Sequence, residues 1–334
     1  MSKQAKQQET LHHLRGLRHQ SDEQARYALE ILERERGKQV VSEALAVLTQ
    51  TPISQARPIL LRLYAYYNEA GVKRDVGGDL RMALLGALLP LADTRDQTLA
   101  ERAATTYEFL PPTREECAGG LRAAGLILLH NLDPVLAGYH GTRLLVDAST
   151  SRMSGEPAVS AARLLAGQGQ LLPLYSYLFA QHGSHAEVEA ECLRHLAKAP
   201  VEIVKTVLSH YSVSISIGTG IPVPRYETKG DVVLLGLFDL VLAFPASSIC
   251  LSFLEAFLRE TQRNEVYHAV LSTIIAAHAP QPQKVVLQVA RDERRAEKID
   301  CLLSALALAQ HDPATRHVIQ ELQRQKAQGG QLGP

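Results

Sequence analysis

DLRMALLGAL, residues 79–88, is the stretch on which the reading of this chain turns. Leu80, Leu84, Leu85 and Leu88 fall at helical spacing and make one apolar stripe, with Asp79 at the end where a helix dipole favours an acid. The same outline returns as GLRAAGLILL at 120–129, AVSAARLLAG at 158–167 and EVEAECLRHL at 187–196. It continues as DVVLLGLFDL at 231–240, EVYHAVLSTI at 265–274 and EKIDCLLSAL at 297–306. Leucine holds the seventh place of all seven windows, an aliphatic residue the second place of six, and Leu or Ile the tenth place of six. Successive windows start 41, 38, 29, 44, 34 and 32 residues apart, the length of one helical hairpin.

Between the windows the chain is punctuated at short intervals by Thr51-Pro52, Gly77-Gly78-Asp79, Pro111-Pro112-Thr113, Asp133-Pro134, Pro200, Gly230-Asp231, Pro280 and Asp312-Pro313. Proline suits the first turn of a helix, Asp and Thr cap one and glycine ends one, so this punctuation predicts roughly sixteen helices of three to four turns joined by short loops. Composition agrees. Of 334 residues, 46% are apolar and only 5% aromatic, with no tryptophan, so Leu, Ala, Val and Ile must fill the core. The 35 basic and 35 acidic side chains cancel, which argues against a protein built mainly to hold nucleic acid or an anionic membrane.

The pattern acidic–Val/Leu–Arg–x–Ala–x–Leu–x–x–Leu, clearest at Asp79, Leu80, Arg81, Ala83, Leu85 and Leu88, resembles the second helix of a HEAT or HEAT-like repeat of the armadillo type. The resemblance spans about residues 20–325 and rests on a degenerate pattern, so it speaks to architecture and to no particular protein. It implies an all-α fold in which hairpins stack into a right-handed α-α superhelix, an α-solenoid. It also implies a concave face, lined by the second helices, that grips a protein or peptide partner.

Departures from the repeat set the expected organisation. Residues 1–20 carry Lys3, Lys6, Arg15 and Arg18 against Glu9 alone and read as a polar, basic arm. A first array follows over 21–211. Residues 212–230, SVSISIGTGIPVPRYETKG, alternate apolar residues at Val213, Ile215 and Ile217 and then bring glycine and proline, so they read as an irregular, non-helical loop. A second array covers 231–326, and 327–334 read as a disordered tail. Cys117, Cys192, Cys250 and Cys301 lie more than fifty residues apart. That scatter suits reduced thiols in a cytoplasmic protein. The first twenty residues lack the apolar core of a secretory signal, and no run is long enough to span a bilayer, so no membrane association is expected.

Chemistry is sparse. Gly167-Gln168-Gly169 and Gly218-Thr219-Gly220 are lone triplets without the lysine or helix start of a phosphate loop. His182, His185, Cys192 and His195 offer zinc-compatible ligand types, and His182, Cys192 and His195 would be the set to try. On one helix, however, His185 lies about 10 Å along the axis from Cys192, too far for a shared tetrahedral site. No metal and no cofactor are expected, and no catalytic residue can be assigned. Two enzymatic groups with similar repeats offer comparisons. Deoxyhypusine hydroxylases hold iron with His-Glu pairs, and none of the 13 histidines here precedes a glutamate. Alkylpurine glycosylases resemble basic, aromatic grooves, which a Tyr64, Tyr66, Tyr67 or Tyr175, Tyr177 set could only approximate. Arg81 and Arg122 share the third place of their windows and could line the concave wall or pair with acids such as Asp79, while Arg163 sits at the sixth place and faces elsewhere. With Arg225 and Tyr226 of the loop, Arg81 and Arg122 form the expected binding set. The expected function is a non-catalytic interaction scaffold, with a nucleic-acid-binding or DNA-repair protein on the same scaffold as the alternative.

Overall fold

The computed structural model describes residues 3–180, 185–216 and 222–329. It is 77% helical. Helices α1 to α10 are Lys3–Gly16, Ser21–Arg34, Lys38–Gln50, Arg57–Glu69, Gly71–Arg74, Asp79–Leu88, Gln97–Ala104, Gly119–Leu132, Pro134–Leu145 and Ala158–Gly167. Helices α11 to α19 are Leu171–Phe179, Ala186–His195, Val201–Ser212, Asp231–Leu242, Ser248–Glu260, Asn264–Ala277, Pro280–Asp292, Ala296–Leu306 and Pro313–Gly329. The chain divides into two compact units, Met1–Pro173 and Leu174–Pro334, with α11 crossing from one to the other.

The punctuation acts as expected. Pro134 takes the first position of α9, and the Asp133 carboxylate accepts the Leu136 amide at 2.9 Å. Helix α6 is entered through Gly77 and Gly78 at φ 80° and 75°, a left-handed backbone that costs glycine nothing. The seven sequence windows fall on α6, α8, α10, α12, α14, α16 and α18. In the first unit α6 packs on α8 and α8 on α10, and α7 and α9 also pack on α8. In the second unit α12, α14, α16 and α18 pack in succession, and α13, α15, α17 and α19 make a parallel succession of their own. The repeat leucine is buried at Leu85, Leu126, Leu164, Leu193, Leu237 and Leu271, and half-buried at Leu303.

Helix α14 meets α12 so closely that a Cβ on Gly236 would lie 2.6 Å from the Ala190 carbonyl oxygen. Among the described residues, two short antiparallel strand pairs interrupt the helices. One, β1 (Phe109–Leu110) with β2 (Glu115–Glu116), arises where only a proline turn was anticipated. The other, β3 (Ser214–Ser216) with β4 (Pro222–Pro224), sets Ile215 opposite Val223, so the alternation at Val213 and Ile215 does mark a strand. Ile217 and Gly218-Thr219-Gly220 lie outside the described residues.

Three expectations need correction. The basic arm is largely helix: α1 spans Lys3–Gly16, because Leu11 and Leu14, three residues apart, share a face that buries against the next helices. Residues 225–228 of the irregular loop form a 3₁₀ turn. Residues 327–329 of the expected tail close α19, and 330–334 lie outside the described residues. Among the described residues no helix is long and apolar enough to cross a membrane.

Candidate binding face

The seven-window pattern buries two sides of each helix and leaves one narrow stripe. On α6 that stripe is Met82, Ala83 and Gly86; on α8 it is Gly120, Ala124 and Ile127. Met82 is 40% exposed and Ile127 46% exposed. Between the two helices runs a groove of about 270 Å³, floored by Leu85, Ala123 and Leu128 and closed toward α10 by Glu156 and Ser160. Of the eleven residues that line it, Glu156 alone is charged. Its carboxylate accepts the Ser160 hydroxyl at 2.9 Å and the Ser160 amide at 3.2 Å, which ties it to the first turn of α10. Gly86 is inside α6, and a Cβ added there would meet nothing within 4 Å.

A broader trough of about 940 Å³ follows α9 and exposes Val135, Tyr139 and Val146. Its polar edge is already paired: Gln168 donates to the Pro134 carbonyl at 2.6 Å and Gln170 to Gln168 Oε1 at 2.8 Å.

Arg81 and Arg122 do not reach either surface. Both side chains are 0% exposed. Arg81 grips Glu108 with both terminal nitrogens at 2.7 Å and sets Nε 3.1 Å from Asp75 Oδ2. Asp75 in turn accepts the backbone amides of Leu80 and Arg81. Arg122 repeats the arrangement one period later. It pairs with Glu116 at 2.6 Å and Asp147 at 3.2 Å, donates to the Thr106 and Ser149 carbonyls, and lies 4.1 Å from the centre of the Tyr107 ring. In each clamp one acid sits six residues before the arginine. A buried guanidinium needs such partners, since an unpaired one is too costly to keep. The reading of these arginines as pairing with interhelical acids therefore describes them, with Asp75 and Glu108 in place of Asp79, which pairs with Lys38 at 2.7 Å. A Cβ on Gly71 would fall 2.0 Å from Glu108 Oε1, so the glycine makes room for the first clamp.

Tyr226 is likewise an anchor and not a surface contact. It is 3% exposed, its ring packs edge-on against Phe253 and Phe257, and its hydroxyl is 3.4 Å from Glu260. Arg225 is half-buried, with Nη1 2.7 Å from Nε2 of His210. Burial, and then the charges of Arg225 and Lys229, hold His210 below the ordinary histidine range. Nearby, the Tyr211 hydroxyl donates to buried Glu189 at 2.5 Å and Lys229 pairs with the same carboxylate at 2.7 Å. The loop is thus pinned to α12 and α13.

His182 lies outside the described residues. Burial, with Glu191 and Glu189 close by, pushes the Cys192 thiol far above its usual range, so it is no ready thiolate ligand. His195 turns to Glu191 at 3.1 Å. Among the described residues no three His, Cys, Asp or Glu side chains converge as a metal site requires. Tyr64 and Tyr67 are buried on one face of α4, while Tyr66 is exposed beneath the Arg74 guanidinium, 4.2 Å away. No family model, curated protein or solved structure matches the chain. Apart from Leu85, the groove residues escaped the sequence reading because the repeat template marks buried places. Their one signal was the glycine Gly86 inside an otherwise helix-favouring run.

Proposed function

We propose that the chain is a non-catalytic binding scaffold, a HEAT-like α-solenoid that holds a protein or peptide segment on the face of α6, α8 and α10. The observation that carries this is the largely apolar groove between α6 and α8, whose one charged lining residue is Glu156, with Met82 and Ile127 open to solvent on its rim. Apolar side chains gathered at an open groove gain by being covered, and a groove between helices suits an inserted side chain or helix face. The superhelical arrangement is supported by the ordered packing of window helices within each unit and by the two arginine clamps, alike in build and 41 residues apart. Burial of Arg81 and Arg122 takes away the arginines that a nucleic-acid groove between α6 and α8 would use, and the net charge of zero adds no steering field.

The test is selection of a displayed library of random linear dodecapeptides on the purified full chain, run in parallel on Met82→Asp. Met82 is on the surface, so the substitution leaves the fold intact while placing a charge in the groove. Peptides enriched on the parent chain should lose at least tenfold in affinity for the variant. Equal binding to both would overturn the assignment of this face.

A further inference from the structure

The groove itself indicates what kind of segment it takes, an inference that rests on the reading of this face just given. Gly86 lies within α6, where glycine weakens a helix by about 0.5–1 kcal/mol relative to alanine. Its φ is not in the left-handed range, and no neighbouring atom would lie within 4 Å of an added Cβ. Nothing inside the fold therefore calls for glycine. The space it leaves is part of the groove, bounded by Met82, Leu85, Leu89 and Ile127, and only an aliphatic surface can fill such a place without losing hydrogen bonds.

Glu156 adds the second requirement. A segment that covers the groove also covers this carboxylate, whose two bonds to Ser160 leave part of its acceptor capacity to water. Removing that water without replacing it is unfavourable, so an acidic or wholly apolar occupant is selected against, while a cationic one both restores the lost bonds and meets the charge. We infer that the partner is a linear segment presenting an aliphatic side chain over Gly86 and, next to it, a lysine or arginine paired with Glu156.

The same dodecapeptide library, selected on the parent chain and on Glu156→Gln, tests this. Sequences enriched on the parent should pair an aliphatic residue with Lys or Arg, and Glu156→Gln should keep the aliphatic preference while losing the basic one. A peptide from the parent selection, resynthesised with norleucine in place of its lysine or methyl-capped citrulline in place of its arginine, should bind the parent about tenfold more weakly. It should bind Glu156→Gln as well as the unmodified peptide does. The peptide substitution leaves the protein untouched, so the answer does not depend on the stability of the variant. Gly86→Leu should melt no lower than the parent yet abolish binding. An identical basic preference on Glu156→Gln, or full binding to Gly86→Leu, overturns the inference while the proposed face stands. Peptides that bind Met82→Asp and the parent equally well overturn the face itself.

Discussion

Lys298 takes the second place of the last window, where six of the seven windows have an aliphatic residue, and it is buried all the same at 2% exposure. Its ammonium donates to the Leu258 carbonyl at 2.6 Å and lies 4.5 Å from the centre of the Tyr267 ring. Burial, and then the charge of Arg295, lower its pKa from 10.5 to about 8, against the opposing pull of Glu293, Glu227 and Cys301. In the unfolded chain the lysine keeps its ordinary value. Between pH 8 and 10.5 the unfolded state therefore binds more protons, so stability rises with pH across that window. Below pH 8 the full cost of the buried charge is present. Lys298→Met should stabilise the protein by about 1–3 kcal/mol at pH 7, and the gain should shrink toward zero by pH 10.5. Urea midpoints at pH 7 and pH 10 would decide it. A variant less stable at pH 7, or a difference indifferent to pH, would show that the carbonyl and ring contacts outweigh burial. At this scale the pattern of places was legible and the chemistry was not. Arg81 and Arg122 drew notice by their 41-residue spacing, yet Glu108 and Asp147 reach them through turns that no helical period describes.

Among the elements, α12 and α14 join closely, and one small residue allows it. A side chain on Gly236 would enter the backbone of Ala190, with distances of 2.6–2.7 Å to its carbonyl oxygen and Cα. Backbone cannot rotate away as a long side chain can, so the helices would have to part. Gly236→Val is expected to destabilise the second unit by about 3 kcal/mol or more, well beyond its own helix-propensity change. Circular dichroism during denaturation would measure it, and a loss under about 1 kcal/mol would mean that the two helices adjust freely. The helices of the windows were readable because period 3.6 records which of their places are buried. The β1 and β2 strands, two residues each, are too short for alternation to register. The loop at 212–230 was recognised as irregular, but its attachment through Tyr226 to Phe253 and Phe257 joins residues about thirty apart and leaves no local trace.

At the scale of the molecule, the seven windows read along the chain as one series, while the folded chain groups as Met1–Pro173 and Leu174–Pro334. The division falls within α11, whose Leu171–Phe179 sequence is strongly apolar and has none of the polar, flexible composition of a linker. Each unit has its own run of buried repeat leucines: Leu85, Leu126 and Leu164 in the first, Leu193, Leu237 and Leu271 in the second. Leu85 is 1% exposed at the floor of the groove, and a carboxylate there, largely withdrawn from water, costs several kcal/mol. Because α6, α8 and α10 pack on one another in turn, that loss passes along the unit that contains them. Leu85→Asp should therefore strip hydrogen-exchange protection from α6, α8 and α10 while α14, α16 and α18 keep theirs. Leu237→Asp should do the reverse. If either substitution removes protection from both sets together, the two units unfold as one cooperative body, and the groove on α6 and α8 then depends on the integrity of the whole chain.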